Sequence, residues 1–199
     1  MIACITEINQ NSQYIVFVLK TDHVIFEGNE YYVTHSCNPS VLDDARRLDL
    51  TKNGQKPYAV IVTCGDSRVP PEHIFSTGLG DLFVIRNAGN VIGINESGSA
   101  EYAADHLGTP LIVVLGRTHC GAVHATLEGG GHGNVRFITD EIRWAIKNEH
   151  DPRKCEWLNA KNSVQRLLEN PILKDLKDQS RLEILPAVYD IETGKVTFA

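Results

Sequence analysis

Three short, mostly apolar runs in the middle of the chain constrain the fold most. Tyr58–Thr63, Asp81–Arg86 and Leu111–Leu115 are rich in Val, Ile and Leu, and helical stretches separate them. Runs that are apolar at successive positions are typical of strands covered on both faces, as in parallel sheets. Strands that alternate with helices are joined by right-handed crossovers. The chain is therefore predicted to be an α/β protein with a mainly parallel central sheet flanked by helices.

Local signals predict the remaining elements. Helices are expected at Val41–Leu50, from the residue after Pro70 and Pro71 through Phe75, at Asn95–Leu107, just after Gly121, at Phe137–Lys147 and at Cys155–Leu168. A late strand and an edge hairpin are expected at Arg181–Tyr189 and Lys195–Phe198. Because β-branched and aromatic residues favour strands, strands are also expected at Tyr14–Leu19 and Val24–Phe26.

Composition narrows the class of protein. With 199 residues, 42% of them hydrophobic and 22% charged, the chain suits one globular domain. The formal net charge of -6 argues against nucleic-acid and anionic-membrane partners, which need clustered positive charge. The strongest apolar run, Tyr14–Leu19, is far shorter than the roughly 20 residues of a spanning helix, and no secretory signal is visible. A cytoplasmic protein is expected.

Cysteine and acidic residues follow two of the predicted strands. Cys64, Asp66 and Arg68 come directly after the first central strand, and Cys120 follows the third. Open α/β sheets place ligand sites at such strand ends, and zinc accepts thiolate, imidazole and carboxylate ligands. Each feature also has a plain structural interpretation: a buried apolar cysteine, or a turn with an incidental Asp–Arg pair. The five cysteines, an odd number, indicate thiols or metal ligands rather than a disulfide framework: Cys4, Cys37, Cys64, Cys120 and Cys155.

Ordered segments around these residues resemble the β-class carbonic anhydrases. Val62–Glu72, with Cys-Gly-Asp-Ser-Arg at its centre, resembles the family's first signature. The likeness continues in the family's order through Gly80–Asn90, Ser99–Tyr102, Leu115–Val123, Tyr189–Asp190 and Thr193–Gly194. It covers about residues 27–198. The chain is therefore divided into a divergent N-terminal segment, 1–26, and a β-carbonic anhydrase-like domain, 27–199.

The resemblance implies an activity and a site. The family catalyses the reversible hydration of carbon dioxide to bicarbonate and a proton, usually as homodimers or higher homo-oligomers. Cys64 and Cys120 match its two thiolate zinc ligands, and Asp66 and Arg68 match its catalytic pair. In the active arrangement the arginine holds the aspartate away from zinc; in the closed arrangement the aspartate is itself a ligand. Cys64, Asp66 and Cys120 are therefore the expected metal ligands.

Arg117 departs from the family pattern, which places a histidine ligand three residues before the second cysteine. A guanidinium has no lone pair to offer a metal. At about 4 Å from zinc it would be repelled by roughly 8 kcal/mol at an effective dielectric of 20. Zinc is therefore the expected cofactor, but its ordinary two-Cys, one-His site cannot form from the matching positions.

Three arrangements remain open. In the first, His119, His124 or His132 replaces the missing ligand. In the second, Cys64, Cys120 and Asp66 hold zinc while Arg117 points away from the metal. In the third, no metal binds and Arg117 supplies positive charge to the thiolates and Asp66. Two functions compete accordingly. The chain is a carbonic anhydrase impaired by Arg117, or a pseudoenzyme that binds a small anion or a partner. A related hydrolase of carbonyl sulfide or carbon disulfide would need the same zinc site, and nothing in the sequence favours those substrates.

Overall fold

A computed structural model describes residues 12–35 and 44–199, the side chains of residues 12–22 excepted. The helices are α1 (Ser12–His35), α2 (Asp44–Asn53), α3 (Pro71–Ile74), α4 (Ile94–Glu101), α5 (Gly121–Leu127), α6 (Val135–Ile146), α7 (Pro152–Leu168) and α8 (Pro171–Asp178). The strands are β1 (Ala59–Cys64), β2 (Leu82–Asn87), β3 (Leu111–Arg117), β4 (Glu183–Tyr189) and β5 (Val196–Phe198). A 3-10 turn at Ala88–Asn90 and a π-helical turn at Tyr102–His106 complete the elements. Within the described ranges, none of the helices combines the length and apolar character needed to cross a bilayer.

The five strands form one sheet in the order β2-β1-β3-β4-β5. The first four are parallel, and β5 pairs antiparallel with β4. The predicted mainly parallel sheet is confirmed. Thr63 lies opposite Leu115, and Cys64 lies opposite Asn87. This register brings the ends of β1, β2 and β3 to one edge of the sheet, where the candidate site lies.

Both faces of the central strands are buried, as their continuous apolar character predicts. Val62 and Val114 face a core cluster shared with α7 and α8. Ile61 and Val113 face a second cluster that includes Ile25 of α1. A third cluster lies at the carboxyl edge of the sheet and contains the cysteines Cys64, Cys120 and Cys155.

The strands predicted at Tyr14–Leu19 and Val24–Phe26 are wrong, because both segments belong to the helix α1. The burial pattern gives the physical reason. Ile25 and Asn29 are buried and Tyr32 packs beside them, at helical spacing, whereas a strand would bury alternate residues. Asn29 also joins α1 to the sheet, because it donates to the carbonyl oxygens of Ile74 and Gly194 and accepts from the Val196 amide. These contacts outweigh a local β preference.

The other predicted elements need smaller changes. The helix expected at Asn95–Leu107 is α4 continued by the π-helical turn. The helix expected at Val41–Leu50 is α2, and the first three residues of that prediction lie outside the described residues. Sequence analysis missed α8, which Asn170 caps by accepting from the amides of Ile172 and Leu173. α1 continues through residue 26, so the division between 1–26 and 27–199 remains a prediction.

Candidate metal centre

The backbone around Cys64 is fixed by strand β2. Cys64 ends β1 and is buried. The Gly65 amide donates to the carbonyl oxygen of Asn87 at 2.7 Å. Arg86 donates from Nε to the Cys64 carbonyl at 3.2 Å and from Nη2 to the Asp66 carbonyl at 2.6 Å. One arginine therefore holds the turn that carries both Cys64 and Asp66.

Asp66 and Arg68 form a two-pronged ion pair. Arg68 donates from Nε to Oδ1 at 3.0 Å and from Nη2 to Oδ2 at 2.9 Å, and its backbone amide also donates to Oδ1. These hydrogen bonds, with the charge of Arg117, hold the pKa of Asp66 well below its usual range. The carboxylate is thus ionised and oriented, as a bidentate contact should make it.

The second cysteine reaches the same place from β3. Cys120 is the N-cap residue of α5 and is only 1% exposed. Its amide donates to Oε1 of Glu156 at 3.0 Å. The thiols of Cys64 and Cys120 share a hydrogen bond, which lowers the pKa of Cys64 and raises the pKa of Cys120. The structure therefore places both cysteines in one buried cluster at the carboxyl edge of the sheet.

Arg117 points into this cluster. It ends β3, is 4% exposed, and places Nη2 2.7 Å from Oδ2 of Asp66. Its guanidinium also hydrogen-bonds to Cys64 and to the carbonyl oxygens of Thr118 and His119. Its buried Nε has no hydrogen-bond partner among the described residues. Arg117 therefore places its positive charge against the Asp66 carboxylate, and the choice among the three arrangements remains a prediction.

The histidines considered as replacements for the missing ligand, His119, His124 and His132, have exposed side chains. His119 has a positive φ of 56° and pairs with Glu192 through Nε2 and Oε1, 3.1 Å apart. Within residues 12–35 and 44–199, no group of three His, Cys, Asp or Glu side chains is positioned to hold a metal ion.

The donor types nevertheless suit zinc. Two thiolates and a carboxylate are ligands that zinc accepts, and Cys64, Cys120 and Asp66 supply them in one buried crevice. Arg68 and Arg117 occupy the carboxylate oxygens in the observed arrangement. The set therefore fits zinc in chemistry, and Asp66 must exchange its contact with Arg117 for the metal before three ligands are free.

Sequence reasoning missed two residues that build the site. Arg86 lies inside a segment that resembles the family, but spacing assigned it no partner. Glu156 lies in the amphipathic stretch of α7 and is 2% exposed, and its Oε2 has no hydrogen-bond partner among the described residues. Burial raises the pKa of Glu156. An acid within an amphipathic helix is usually placed on the exposed face, so no sequence signal distinguished this one.

Comparison with known proteins identifies the family of the chain. The carbonic anhydrase family model matches residues 59–196. A carbonic anhydrase of Mycolicibacterium smegmatis is 54% identical over 99 residues, which cover 49% of this chain and 48% of the relative. The chain thus spans about half the length of that relative. A carbonic anhydrase of Helicobacter pylori is 31% identical over 170 residues, covering 73% of this chain and 77% of the relative.

Solved structures indicate which class of carbonic anhydrase the chain resembles. A structure described as one of two tetrameric β-carbonic anhydrases from Sordaria macrospora matches with a TM-score of 0.69 and 25% identity. The match covers 90% of this chain and 96% of the fungal chain. The family model, the relatives and the fold agree, and the chain belongs to the β-class carbonic anhydrase family.

Proposed function

We propose that the chain catalyses the reversible hydration of carbon dioxide to bicarbonate, at a zinc ion held by Cys64 and Cys120 with Asp66. We further propose that Arg117 makes this reaction much slower than in relatives with histidine at that position. The observation that carries the proposal is the two-pronged Asp66–Arg68 pair beside two cysteines buried in one cluster. Zinc bound there would supply hydroxide near neutral pH by lowering the pKa of its water to about 7.

The residues of the chain have distinct parts in this proposal. Arg68 keeps the Asp66 carboxylate ionised and oriented, so that the carboxylate is in the charge state of a metal ligand. Arg86 and Glu156 hold the backbone on either side of the crevice, at Cys64 and Cys120 respectively. The apolar cluster around the two cysteines keeps bulk water away from the reacting groups.

Arg117 weakens metal binding in two ways. Its charge opposes a divalent cation, by roughly 8 kcal/mol at 4 Å and an effective dielectric of 20. Its ion pair with Asp66, at 2.7 Å, also occupies a candidate ligand. Both effects disappear when a neutral imidazole takes its place.

The test is Arg117→His. We expect at least a tenfold increase in zinc affinity and a clear increase in the rate of carbon dioxide hydration, followed by stopped flow with a pH indicator. Arg136→His is the matched control, because the Arg136 side chain is 65% exposed and far more open to solvent than Arg117. A folded Arg117→His protein with unchanged zinc content and unchanged rate would contradict the proposal.

A second function is favoured by the Arg117–Asp66 contact. Three guanidinium groups, those of Arg68, Arg86 and Arg117, lie around the single carboxylate of Asp66. The cluster therefore has positive charge in excess of its carboxylate without a metal, as expected for a pseudoenzyme that binds a small anion such as bicarbonate. Elemental analysis after purification without chelator separates the two functions. Absence of zinc and of turnover, with bicarbonate binding by calorimetry, would favour the second.

Homo-oligomeric assembly and a cytoplasmic location belong to the same proposal. Assembly is supported by the tetrameric fungal proteins and by large apolar side chains left exposed on this chain, such as Ile94 and Phe137. Light scattering during size-exclusion chromatography tests it, and a monomer at micromolar concentration would refute it. Cell fractionation with an antibody tests the location.

A further inference from the structure

One face of α7 carries a buried polar stripe, formed by Glu156, Asn159 and Ser163. These residues are three and four positions apart, so they lie on the same side of the helix. Each is at most 2% exposed. Polar side chains buried in this way cost stability unless they form hydrogen bonds, so the partners of the stripe indicate its role.

Two side chains of the stripe hold the 3-10 turn that follows β2. Asn159 donates from Nδ2 to the Gly89 carbonyl at 2.7 Å, and Ser163 donates from Oγ to the Asn90 carbonyl at 2.8 Å. The partners are 70 and 73 residues apart in sequence. The position of the turn is therefore set by a distant helix as well as by its own strand.

The 3-10 turn lies against the loops of the candidate metal centre. Gly89 has a positive φ of 78°, and an added Cβ there would lie 2.9 Å from Ala122 of α5 and 3.1 Å from Ile142 of α6. Asn87, directly before the turn, accepts from the Gly65 amide at 2.7 Å. This backbone hydrogen bond couples the turn to the loop after β1, which carries two of the expected metal ligands.

The other end of the stripe reaches the third expected ligand. Glu156 accepts from the Cys120 amide at 3.0 Å. Between the two ends, α7 packs closely on β3, because an added Cβ at Gly116 would lie 3.4 Å from Cβ of Ala160. Glu156 and Ser163 are separated by about 10 Å along a regular helix. One helix face is therefore hydrogen-bonded to both sides of the crevice.

We propose that Asn159 and Ser163 are positioning residues of the metal centre. They hold the 3-10 turn, and through it the loop after β1, at the distance from Cys120 that a shared metal ion needs. The inference rests on the proposed function, because only a shared metal requires Cys64 and Asp66 to keep that distance. It adds to the proposed function the residues that set the spacing of the ligands.

The experiment measures amide hydrogen exchange by NMR in the full chain with a chelator present. Ser163→Ala and Asn159→Ala each remove one hydrogen bond to the 3-10 turn, and the Gly65 amide reports on the loop after β1. We expect the Gly65 amide to exchange at least tenfold faster in each variant than in the wild type, after the loss of global stability is subtracted. A residue that only stabilises the fold would raise exchange no further than that loss.

Thr109→Val is the matched control. Thr109 is 1% exposed and donates from Oγ1 to the Pro57 carbonyl at 3.1 Å. This hydrogen bond has the same chemistry but lies before β1 and β3, at the opposite end of the sheet from the crevice. The control should lower global stability without a further increase in the exchange of the Gly65 amide.

Cobalt(II) affinity, followed by the absorption of thiolate-bound cobalt, is the second measurement. We expect Ser163→Ala to bind cobalt at least tenfold more weakly than the wild type, and Thr109→Val to bind it equally well. A wild type that binds neither cobalt nor zinc defeats the proposed function, and the exchange of the Gly65 amide then decides the positioning role by itself. That role is overturned if the Gly65 amide exchanges no faster in the two variants than in Thr109→Val, or if a wild type that binds cobalt and Ser163→Ala have equal affinity.

Discussion

Asp66→Asn tests how much the Asp66 carboxylate offsets the free-energy cost of burying the positive charge of Arg117. The Arg117 side chain is 5% exposed, and Asp66 is its nearest anion, at 2.7 Å. Removing one partner of a buried ion pair costs about 3–5 kcal/mol, because the other charge stays buried without compensation. Two backbone carbonyls still accept from Arg117, and Asp66 is 15% exposed. We therefore expect a loss near the lower limit, about 3 kcal/mol of unfolding free energy.

The reciprocal change should cost less. In Arg117→Met, Asp66 keeps its two-pronged contact with Arg68, which lies at the surface, so no buried charge is left alone. We expect a loss of about 1.5 kcal/mol, the lower limit for a hydrogen bond to a charged group. The double variant should be more stable than Asp66→Asn alone, with a coupling free energy of about 2 kcal/mol.

Urea denaturation followed by circular dichroism, with a chelator present, measures these free energies. Asp140→Asn is the matched control, because Asp140 also lies between two arginines, Arg136 and Arg143, but is 52% exposed. Exposed pairs contribute little, so this variant should stay within about 1 kcal/mol of the wild type. The reasoning is refuted if Asp66→Asn is no worse than Asp140→Asn, or if the Asp66 and Arg117 changes are strictly additive.

Two further predictions follow from the same structure. The pKa of Asp66 is lower in the folded chain than the unfolded value of about 3.9. The contribution of Asp66 to stability is therefore complete above about pH 3.9 and is lost as pH falls towards the folded pKa. Between pH 5 and 3, the free energy of unfolding should fall less steeply for Asp66→Asn than for the wild type. Gly28→Ala should lower the melting temperature by several degrees, because an added Cβ would lie 2.0 Å from the carbonyl oxygen of Phe75. Gly98→Ala should raise the melting temperature slightly, because nothing lies within 4 Å of the added atom. Equal effects at both glycines would contradict the packing of α1 on α3.

The central sheet could be predicted from the sequence because its signal is local and repeated. Tyr58–Thr63 and Leu111–Leu115 are apolar at successive positions, and only burial on both faces satisfies such a run. The N-terminal helix could not be predicted in the same way. Its β-branched residues favour a strand, and the helix is stabilised by distant contacts, such as those of Asn29 with Gly194 and Val196. A local sequence pattern does not indicate a contact with residues so distant in the chain.

The residues of the candidate site also divide into those that local sequence predicts and those that depend on distant contacts. Cys64, Asp66 and Cys120 follow strand ends, so topology alone brings them together. The direction of the Arg117 side chain was left open among three arrangements, because it depends on whether a buried anion is within reach. Glu156 could not be found at all, since α7 places it beside Cys120 through the packing of the whole domain.

Arginine and histidine at position 117 offer the crevice two mutually exclusive ways to compensate its negative groups. A neutral imidazole leaves the thiolates and Asp66 in need of a cation, and a divalent metal meets that need while it completes the ligand set. A guanidinium meets part of the need itself, through Asp66 at 2.7 Å, and on the function proposed above it weakens the electrostatic reason for the metal to bind. We therefore expect residue 117 to decide between a metal centre and an ion-pair cluster, and the contacts of Arg86 and Glu156 with the backbone of the two cysteines involve no atom of that residue.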